Sequence, residues 1–288
     1  MPRRVIWSAL GVAMAVFMVN FASLAGADSG PTSFELSAIF ERLPDSTEPV
    51  VLDRTDKVTL LAKLDSNSPQ FWIELPDGGR KSQYGWSPVL AADGSVIFVD
   101  SEDLSLKKLL INGDEQQLLP PGSAAGFLRI SSDRKYLGYA IPINLSPGSN
   151  WVGLYGAGIM DLETGKVLVS RTKENFFTSP IGWYGDQLIV HEWDATQTQD
   201  SLDLYALSLD GELTKFALGL PQANSYPEIS PDHQWLVYAD THGDAILLRL
   251  ADGSFGTVPN VEFPSWTQNG LTGLVDGRRV LIKITSQP

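Results

Sequence analysis

The feature that most constrains this fold is a unit of about forty residues that recurs along the chain. Its clearest copy, Tyr226 to Gly253, reads YPEISPDHQWLVYADTHGDAILLRLADG. A turn at Ser230-Pro231-Asp232 precedes one apolar run, and a polar loop separates it from a second run that ends at Asp252-Gly253. Apolar β-type runs separated by turns at this period are typical of a propeller of four-stranded blades. A scaffold repeat predicts the fold and carries little information about activity.

A first signature marks the start of each unit. It consists of an apolar residue, two small or polar residues, and Asp or Asn, just before an apolar run. Four close and two looser copies occur, at 52–56, 90–94, 130–134, 183–186, 229–233 and 266–270. Successive copies start 38, 40, 53, 46 and 37 residues apart, which matches the period of a blade. The sequence therefore predicts six blades.

A second signature, a tight hairpin, follows the next apolar run in five of the six units. Its copies are Pro76-Asp77-Gly78, Asn112-Gly113, Glu163-Thr164-Gly165, Leu209-Asp210-Gly211 and Ala251-Asp252-Gly253. Gly and Asn suit these positions because primed hairpin turns require positive φ. Helical periodicity and a linker rich in Gly, Ser and Pro are both missing between Val50 and Ile284. We therefore predict an all-β, six-bladed propeller of four-stranded antiparallel blades over 45–288.

The sixth unit is one strand short, because the chain ends soon after Ile284. The segment 28–44 lies outside the first unit, and within it Ser33 to Arg42 could supply the missing strand. That would close the ring and remove its exposed edges. Phe34, Leu36, Ala38 and Phe40 alternate as in a strand. Leu36, Ile39, Phe40 and Leu43 also fit a helical stripe, so both conformations remain open here.

The first 27 residues read as an export signal. Arg3 and Arg4 precede the apolar run Val5 to Leu24, and Ala25-Gly26-Ala27 fits a cleavage site. We expect an extracytoplasmic protein, secreted or periplasmic, cleaved after Ala27. The run is long for a signal peptide, so an uncleaved membrane anchor is the alternative.

Composition narrows the classes of partner and chemistry. The chain has no cysteine, which excludes disulfides, thiol nucleophiles and thiolate metal sites. Its net charge of -13 has the wrong sign for attraction to nucleic acid or to an anionic membrane surface. A basic protein, a cation such as calcium, or solubility alone accounts for this charge.

The fifth unit resembles the repeat of TolB-type six-bladed propellers. The likeness rests on Ile229-Ser230-Pro231-Asp232, Trp235 to Ala239 and Ala251-Asp252-Gly253, and more loosely covers about residues 45 to 284. The resemblance implies an extracytoplasmic propeller that binds other proteins. Related propellers also occur fused to peptidases, but no peptidase domain is visible in this sequence. The family implies no catalytic residues, so none is carried over.

Propeller geometry predicts which loops carry a binding site. Tight turns join strands one to two and three to four on one face, whereas variable loops join strands two to three on the other. Variable loops on a rigid scaffold are the usual place for binding. The candidate binding residues on this face are Asp100, Asp103, Trp151, Asp194, Asp200, Asp240, His242 and Asp244. The alternative is that Asp is present there simply as a good turn residue.

The run His191-Glu192-Trp193-Asp194 is the densest group of potential ligands or acid–base groups. Alternation along a strand sends His191 and Glu192 to opposite faces, which argues against a metal site. We identify no catalytic and no metal-binding residue in the sequence. Trp235 is expected in the core, and His233 in a solvated turn.

Three functional hypotheses follow. The first is a monomeric, non-enzymatic propeller that binds a protein or cell-envelope component through its acidic loop face, without a cofactor. The second is a hydrolase or lyase that uses loop carboxylates such as Glu192, Asp194 and Asp240, with calcium as a candidate cofactor. The third is a small-ligand receptor with Trp151 and Trp183 as stacking platforms.

Overall fold

The computed structural model describes residues 31–34, 36–43, 49–62, 70–143, 154–267 and 269–286, and within these ranges the regular structure is entirely β. No helix in this part of the chain has the length and hydrophobicity needed to cross a bilayer. The predicted export signal and Trp151 lie outside the described residues.

Six sheets follow one another along the chain. The first contains β3 (Val50–Arg54), β4 (Thr59–Ala62), β5 (Gln70–Glu74) and β6 (Arg80–Tyr84). The second contains β7 (Trp86–Leu90), β8 (Val96–Val99), β9 (Leu106–Leu109) and β10 (Glu115–Leu119). The third contains β11 (Arg129–Ile130), β12 (Tyr136–Ile143), β13 (Leu154–Asp161) and β14 (Val167–Arg171).

The remaining three sheets repeat this order. The fourth contains β15 (Phe176–Tyr184), β16 (Gln187–Asp194), β17 (Ser201–Leu207) and β18 (Leu213–Pro221). The fifth contains β19 (Glu228–Ile229), β20 (Trp235–Ala239), β21 (Ala245–Arg249) and β22 (Phe255–Val258). The sixth contains β23 (Glu262–Thr267), β24 (Gly270–Val275) and β25 (Arg278–Ser286). Contacts join β3 to β7, β7 to β11, β11 to β15, β15 to β19 and β19 to β23, so the first strands line the centre. The predicted six-bladed propeller is confirmed.

An amino-terminal strand completes the ring. Strand β2 (Leu36–Arg42) pairs antiparallel with β25 along its whole length, from Leu36 opposite Ser286 to Arg42 opposite Val280. The closing strand predicted from the sequence is therefore confirmed, and the helical alternative for this segment is not what forms. Seven backbone pairs with β25 outweigh the local helical pattern.

The structure adds one strand that the sequence did not predict. Strand β1 (Ser33–Phe34) pairs in parallel with β22 and makes the fifth blade five-stranded. Gly256 of β22 permits this approach, because a Cβ atom there would lie 2.5 Å from Leu36 Cγ. The segment before β2 thus ties the fifth and sixth blades together.

Each blade is apolar on both faces because it packs against two neighbours. All four residues of β8 are buried. Val96 and Phe98 pack with the first blade in a cluster that includes Leu60 and Phe71. Ile97 and Val99 pack with the third blade in a cluster that includes Leu137 and Tyr139. A continuous apolar run, and not an alternating one, is what such a buried strand requires.

Strand direction separates the connections into two faces. The hairpin face holds the turns between the first and second and between the third and fourth strands, such as 91–95 and 110–114. The loop face holds the loops between the second and third strands and the segments that join successive blades, such as 240–244 and 222–227. The candidate binding residues that the structure describes lie on or next to the loop face, as the predicted topology requires.

Candidate functional site

Several carboxylates on the loop face form hydrogen bonds within their own loops. Asp100 Oδ1 accepts from the amides of Glu102 at 2.8 Å and Asp103 at 3.3 Å, and its Oδ2 lies 2.6 Å from Lys107 Nζ. Asp194 Oδ1 accepts from the amide and hydroxyl of Thr196 at 2.9 and 2.7 Å. These hydrogen bonds, with the Thr196 hydroxyl first, lower the pKa of Asp194. The two carboxylates stay charged while they organise the loops.

In the fifth blade, a buried carboxylate forms hydrogen bonds within its own loop, residues 240–244, in the same way. Asp240, only 6% exposed, accepts at Oδ1 from the amides of His242 at 2.8 Å and Asp244 at 3.0 Å. Asp244 accepts in turn from the amide of Asn260 at 2.8 Å, and the His242 side chain projects into solvent with 82% exposure. Asp240 and Asp244 thus have a clear structural role in their loop.

The remaining candidates differ in their surroundings. Asp103 accepts a hydrogen bond from the Ser105 amide at 2.8 Å. Asp200 is exposed, and no hydrogen bond or ion pair of its side chain is found among the described residues. Within the same ranges, no group of three His, Asp or Glu side chains is arranged to hold a metal ion. Metal chemistry at these loops therefore gains no support from the described residues.

His191 and Glu192 point to opposite faces of β16, as the strand alternation predicted. The Glu192 carboxylate, 8% exposed, accepts from Arg171 Nε at 3.1 Å and from the Thr178 hydroxyl at 3.1 Å. His191 Nε2 lies 2.9 Å from Gln199 Nε2, an amide nitrogen that also donates to the Ser201 carbonyl. His191 Nε2 is therefore the acceptor, and burial lowers the pKa of His191 to about 4. Both side chains serve the packing of the blade.

A row of aromatic side chains runs along the loop face from the fourth blade, through the third, to the segment that precedes the fifth, and we call it the aromatic row. Ring centroids are 4.4 Å apart for Trp193 and Phe177, 5.4 Å for Phe177 and Tyr155, 5.9 Å for Tyr155 and Phe127, and 4.6 Å for Phe127 and Tyr226. Phe177 and Tyr155 are buried, whereas Tyr226 is 53% exposed. Burial, followed by the proximity of Tyr155, raises the pKa of Tyr226. The sequence analysis did not identify this row.

Phe127 reaches the row through an unusual backbone conformation. Its φ is 51°, in the left-handed region that a bulky aromatic residue rarely adopts. Its amide donates to Ser87 Oγ at 3.1 Å, and Ser87 itself has a φ of 52°. Each such residue costs on the order of 1–3 kcal/mol and persists only where its surroundings fix it. Strain of this kind is concentrated at functional sites, which marks Phe127 as a candidate for function.

Two candidate loops flank the aromatic row, one through backbone hydrogen bonds and the other through direct continuity of the chain. The Asn224 amide donates to the Ala239 carbonyl at 2.7 Å, and the Thr241 amide donates to the Gln222 carbonyl at 3.2 Å. These bonds place the Asp240 loop beside the segment of Tyr226. Asp194 directly follows Trp193 in the chain. The row therefore lies between two of the predicted acidic loops.

A cavity of about 460 Å³ occupies the central channel at the opposite end, next to the hairpin face. Exposed Ser132 and Pro231, both from first-signature turns, lie at its mouth. Arg129 and Glu228 line its wall from β11 and β19. None of the described candidate binding residues lines this cavity. One feature of the sequence could have indicated this cavity. Arg129 and Glu228 each come directly before a first signature, and that position belongs to a first strand, which faces the channel.

Arg134 and His233 occupy equivalent turns at the cavity mouth. Both have positive φ, 57° and 56°, at the position that Gly94 takes in the second blade. Arg134 makes two 2.8 Å bonds to the Asp53 carboxylate and also donates to the Leu90 carbonyl. These contacts join the third blade to the first and second.

His233 and Trp183 connect the fourth blade to its neighbours. His233 Nδ1 lies 2.7 Å from the Trp183 carbonyl oxygen, so it must carry the proton, and Nε2 remains for other partners. His233 is partly buried, not simply solvated as the sequence suggested. Trp183 is 1% exposed and its indole donates to the Arg129 carbonyl at 2.8 Å. Such burial leaves Trp183 little surface on which a ligand ring could stack.

No protein-family model matches this chain. No curated protein matches it either. Many solved structures do match, at low identity. A candidate gluconolactonase is 14% identical, with a TM-score of 0.53 over 88% of this chain and 94% of its own. A streptogramin B lyase is 12% identical, with a TM-score of 0.51 over 88% of both chains.

TolB from Acinetobacter baumannii is also similar. It is 15% identical, with a TM-score of 0.48 over 80% of this chain. The present chain spans 63% of the length of that protein. At such identities, similarity to solved structures shows the fold alone. The TolB-type propeller expected from the repeat is confirmed at that level, by the six blades themselves.

Proposed function

We propose that this chain is an exported, monomeric, non-enzymatic propeller that binds a basic segment of a protein or other cell-envelope component. The binding surface is the loop face, with the aromatic row as its anchor. The observation that carries this proposal is Tyr226, which is half exposed at the end of a row of rings that a strained Phe127 completes. Exposed aromatic side chains supported by buried ones are typical anchors of protein interfaces.

The charge of the chain determines the chemistry of the proposed partner. The net charge is -13, and the Asp194 and Asp240 loops flank the row. Arginine and lysine side chains are attracted both to carboxylates and to the faces of aromatic rings. The same face already contains one such contact, Lys173 Nζ over the ring of Phe176 at 3.2 Å from its centroid. A basic segment complements both features.

The proposal of an extracytoplasmic location rests on residues 1–27, where basic, apolar and small residues follow in the order of an export signal. An enzymatic alternative finds no specific support in the described side chains. His191 is buried with a pKa of about 4, Glu192 is paired with Arg171, and Asp194 is hydrogen-bonded to Thr196. A histidine with such a pKa is poorly matched to general acid–base catalysis near neutral pH, and the two carboxylates are engaged in structural contacts.

A crosslinking pull-down from native envelopes tests the proposal, with residues 28–288 as bait. We expect the wild-type bait to capture one partner stoichiometrically through a basic segment, and the Tyr226→Ser bait to lose it. Tyr84→Ser is the matched control, because Tyr84 is an equally exposed tyrosine, 58% against 53%, outside the aromatic row. Capture of the same partner by the Tyr226→Ser bait would show that the row is not the anchor.

A further inference from the structure

The channel cavity contains polar atoms that the protein does not fully use. Arg129 donates from Nε to the Ile181 carbonyl at 2.6 Å and from Nη1 to the Leu128 carbonyl at 3.1 Å. Among the described residues, no hydrogen bond of Arg129 Nη2 and no carboxylate within salt-bridge distance is found. Burial lowers the pKa of Arg129, and the charge of Glu228 acts in the opposite direction. A largely enclosed guanidinium bonded only to carbonyls is an expensive feature of a fold.

Two further groups in the same cavity have unused capacity. Trp266 Nε1 is buried and has no acceptor among the described residues. Glu228 Oε2 accepts from the Ser265 hydroxyl at 2.9 Å and from the Trp266 amide at 3.1 Å, whereas no donor to Oε1 is found in the same part of the chain. Glu228 thus keeps one carboxylate oxygen for a donor that the described residues do not supply, and a ligand is one source of such a donor.

The inner wall of the cavity includes apolar side chains, whereas its mouth carries polar ones such as Ser132, Arg134 and His233. Leu60 and Ile181 are buried side chains of its wall, and Leu128 lies between Arg129 and the loop face. A volume of about 460 Å³ is within the usual range of small-ligand pockets. An apolar wall with a few polar groups on one side is the usual composition of such a site.

We propose that this cavity binds a small apolar ligand with an α-amino carboxylate group, either a free amino acid or the carboxyl end of a short peptide. The carboxylate pairs with Arg129 Nη2. The amino group, or the amide N–H next to a terminal carboxylate, donates to Glu228 Oε1. The apolar side chain packs against the wall.

This assignment is independent of the proposed loop-face function, because the cavity opens on the hairpin face and Tyr226 does not line it. Arg129 and Glu228 hold equivalent positions of the repeat, one before Ile130 and one before Ile229. The corresponding residues of the second and fourth blades are Val89 and Gly182. At this channel-facing position, the third blade therefore carries a positive charge and the fifth blade a negative one. A ligand with both a carboxylate and an amino group complements this pair of charges.

Titration with leucine, with the dipeptide leucyl-leucine and with the carboxyl-terminal amide of each tests the proposal. Residues 28–288 are used, and binding is followed by tryptophan fluorescence and calorimetry. Trp183 and Trp266 both line the cavity, so the fluorescence reports occupancy. We expect saturable binding of leucine or the dipeptide, with leucine alone indicating a free amino acid ligand and the dipeptide alone a peptide end. The corresponding amide should bind at least about tenfold more weakly, because it lacks the carboxylate.

The variant Arg129→Gln should weaken binding at least about tenfold, whereas Arg249→Gln, a change outside the channel, should not. Circular dichroism establishes that both variants are folded. If Arg129→Gln does not fold, the comparison of the ligand that binds, leucine or the dipeptide, with its own amide on the wild-type chain decides alone. Equal affinity for that ligand and its amide, unchanged affinity in a folded Arg129→Gln variant, or no saturable binding of leucine and dipeptide at millimolar concentration would each overturn the proposal.

Discussion

Phe127 and Tyr226 are in contact, with ring centroids 4.6 Å apart, although one residue precedes the third blade and the other precedes the fifth. The fourth blade lies between them in the ring. The contact therefore extends across the innermost part of the loop face. Ligand binding there would involve three blades at once, and rigid blades position such a surface with little loss of conformational entropy on binding.

The closing strand gives a prediction about stability. A chain that starts at residue 44 lacks β1 and β2 and leaves the edge of β25 unpaired along seven residues. We expect its melting temperature to lie about 10 °C or more below that of a chain that starts at residue 28, since several kcal/mol of strand pairing and packing are lost. Differential scanning calorimetry of the two chains measures this. Equal melting temperatures would mean that β2 does not hold the ring together.

The buried imidazole of His191 predicts a pH dependence. Its pKa is about 4 in the folded chain, against 6.5 when the chain is unfolded, so the unfolded state binds more protons between these values. The contribution of neutral His191 to the free energy of unfolding should therefore be complete above pH 6.5. It should be lost as the pH decreases toward 4, by up to about 3 kcal/mol. Urea unfolding of wild type and His191→Gln at pH 7.5 and 4.5 isolates this contribution. A loss of equal size in both proteins would assign the effect to other groups.

The acidic loops make a third prediction, which separates structural from exposed carboxylates. Asp240 accepts from two amides in a buried turn, so Asp240→Ala leaves both N–H groups without their acceptor and should cost about 1–3 kcal/mol. Asp200 is exposed in the neighbouring blade, and Asp200→Ala should change stability by less than about 0.5 kcal/mol. Urea denaturation of both variants gives the two values. Equal losses of unfolding free energy in the two variants would contradict the distinction between a structural carboxylate at Asp240 and an exposed one at Asp200.

The sequence predicted the fold because the repeat is local. Each first signature and each hairpin is a short segment whose turn residues determine its conformation, as in Ser230-Pro231-Asp232, so six copies predict six blades. The closing strand was predicted because the sixth unit visibly lacks a partner for β25. The parallel pairing of β1 was missed because it depends on the absence of a side chain at Gly256, which no local pattern reveals.

The aromatic row and the cavity were missed for a different reason. Phe127, Tyr155, Phe177, Trp193 and Tyr226 belong to five separate segments, and no local pattern links them. Their contact follows from the curvature of the ring and from the positive φ of Phe127, which are tertiary properties. The Asp residues of the loops attracted notice because of their composition, yet most of those described form hydrogen bonds within their own turns. Composition pointed to the same face on which we now propose a site, but it could not identify the proposed anchor.

The measurement that tests the central claim most directly is the binding of a short labelled peptide of alternating arginine and glycine, followed by fluorescence anisotropy. The same peptide with glutamate in place of arginine is the control ligand. We predict that the arginine peptide binds residues 28–288, more weakly at high salt, and about tenfold or more weakly to Tyr226→Ser, with Tyr84→Ser unaffected. Equal binding of the glutamate peptide, or unchanged affinity in Tyr226→Ser, would contradict the assignment of the loop face as a site for basic segments.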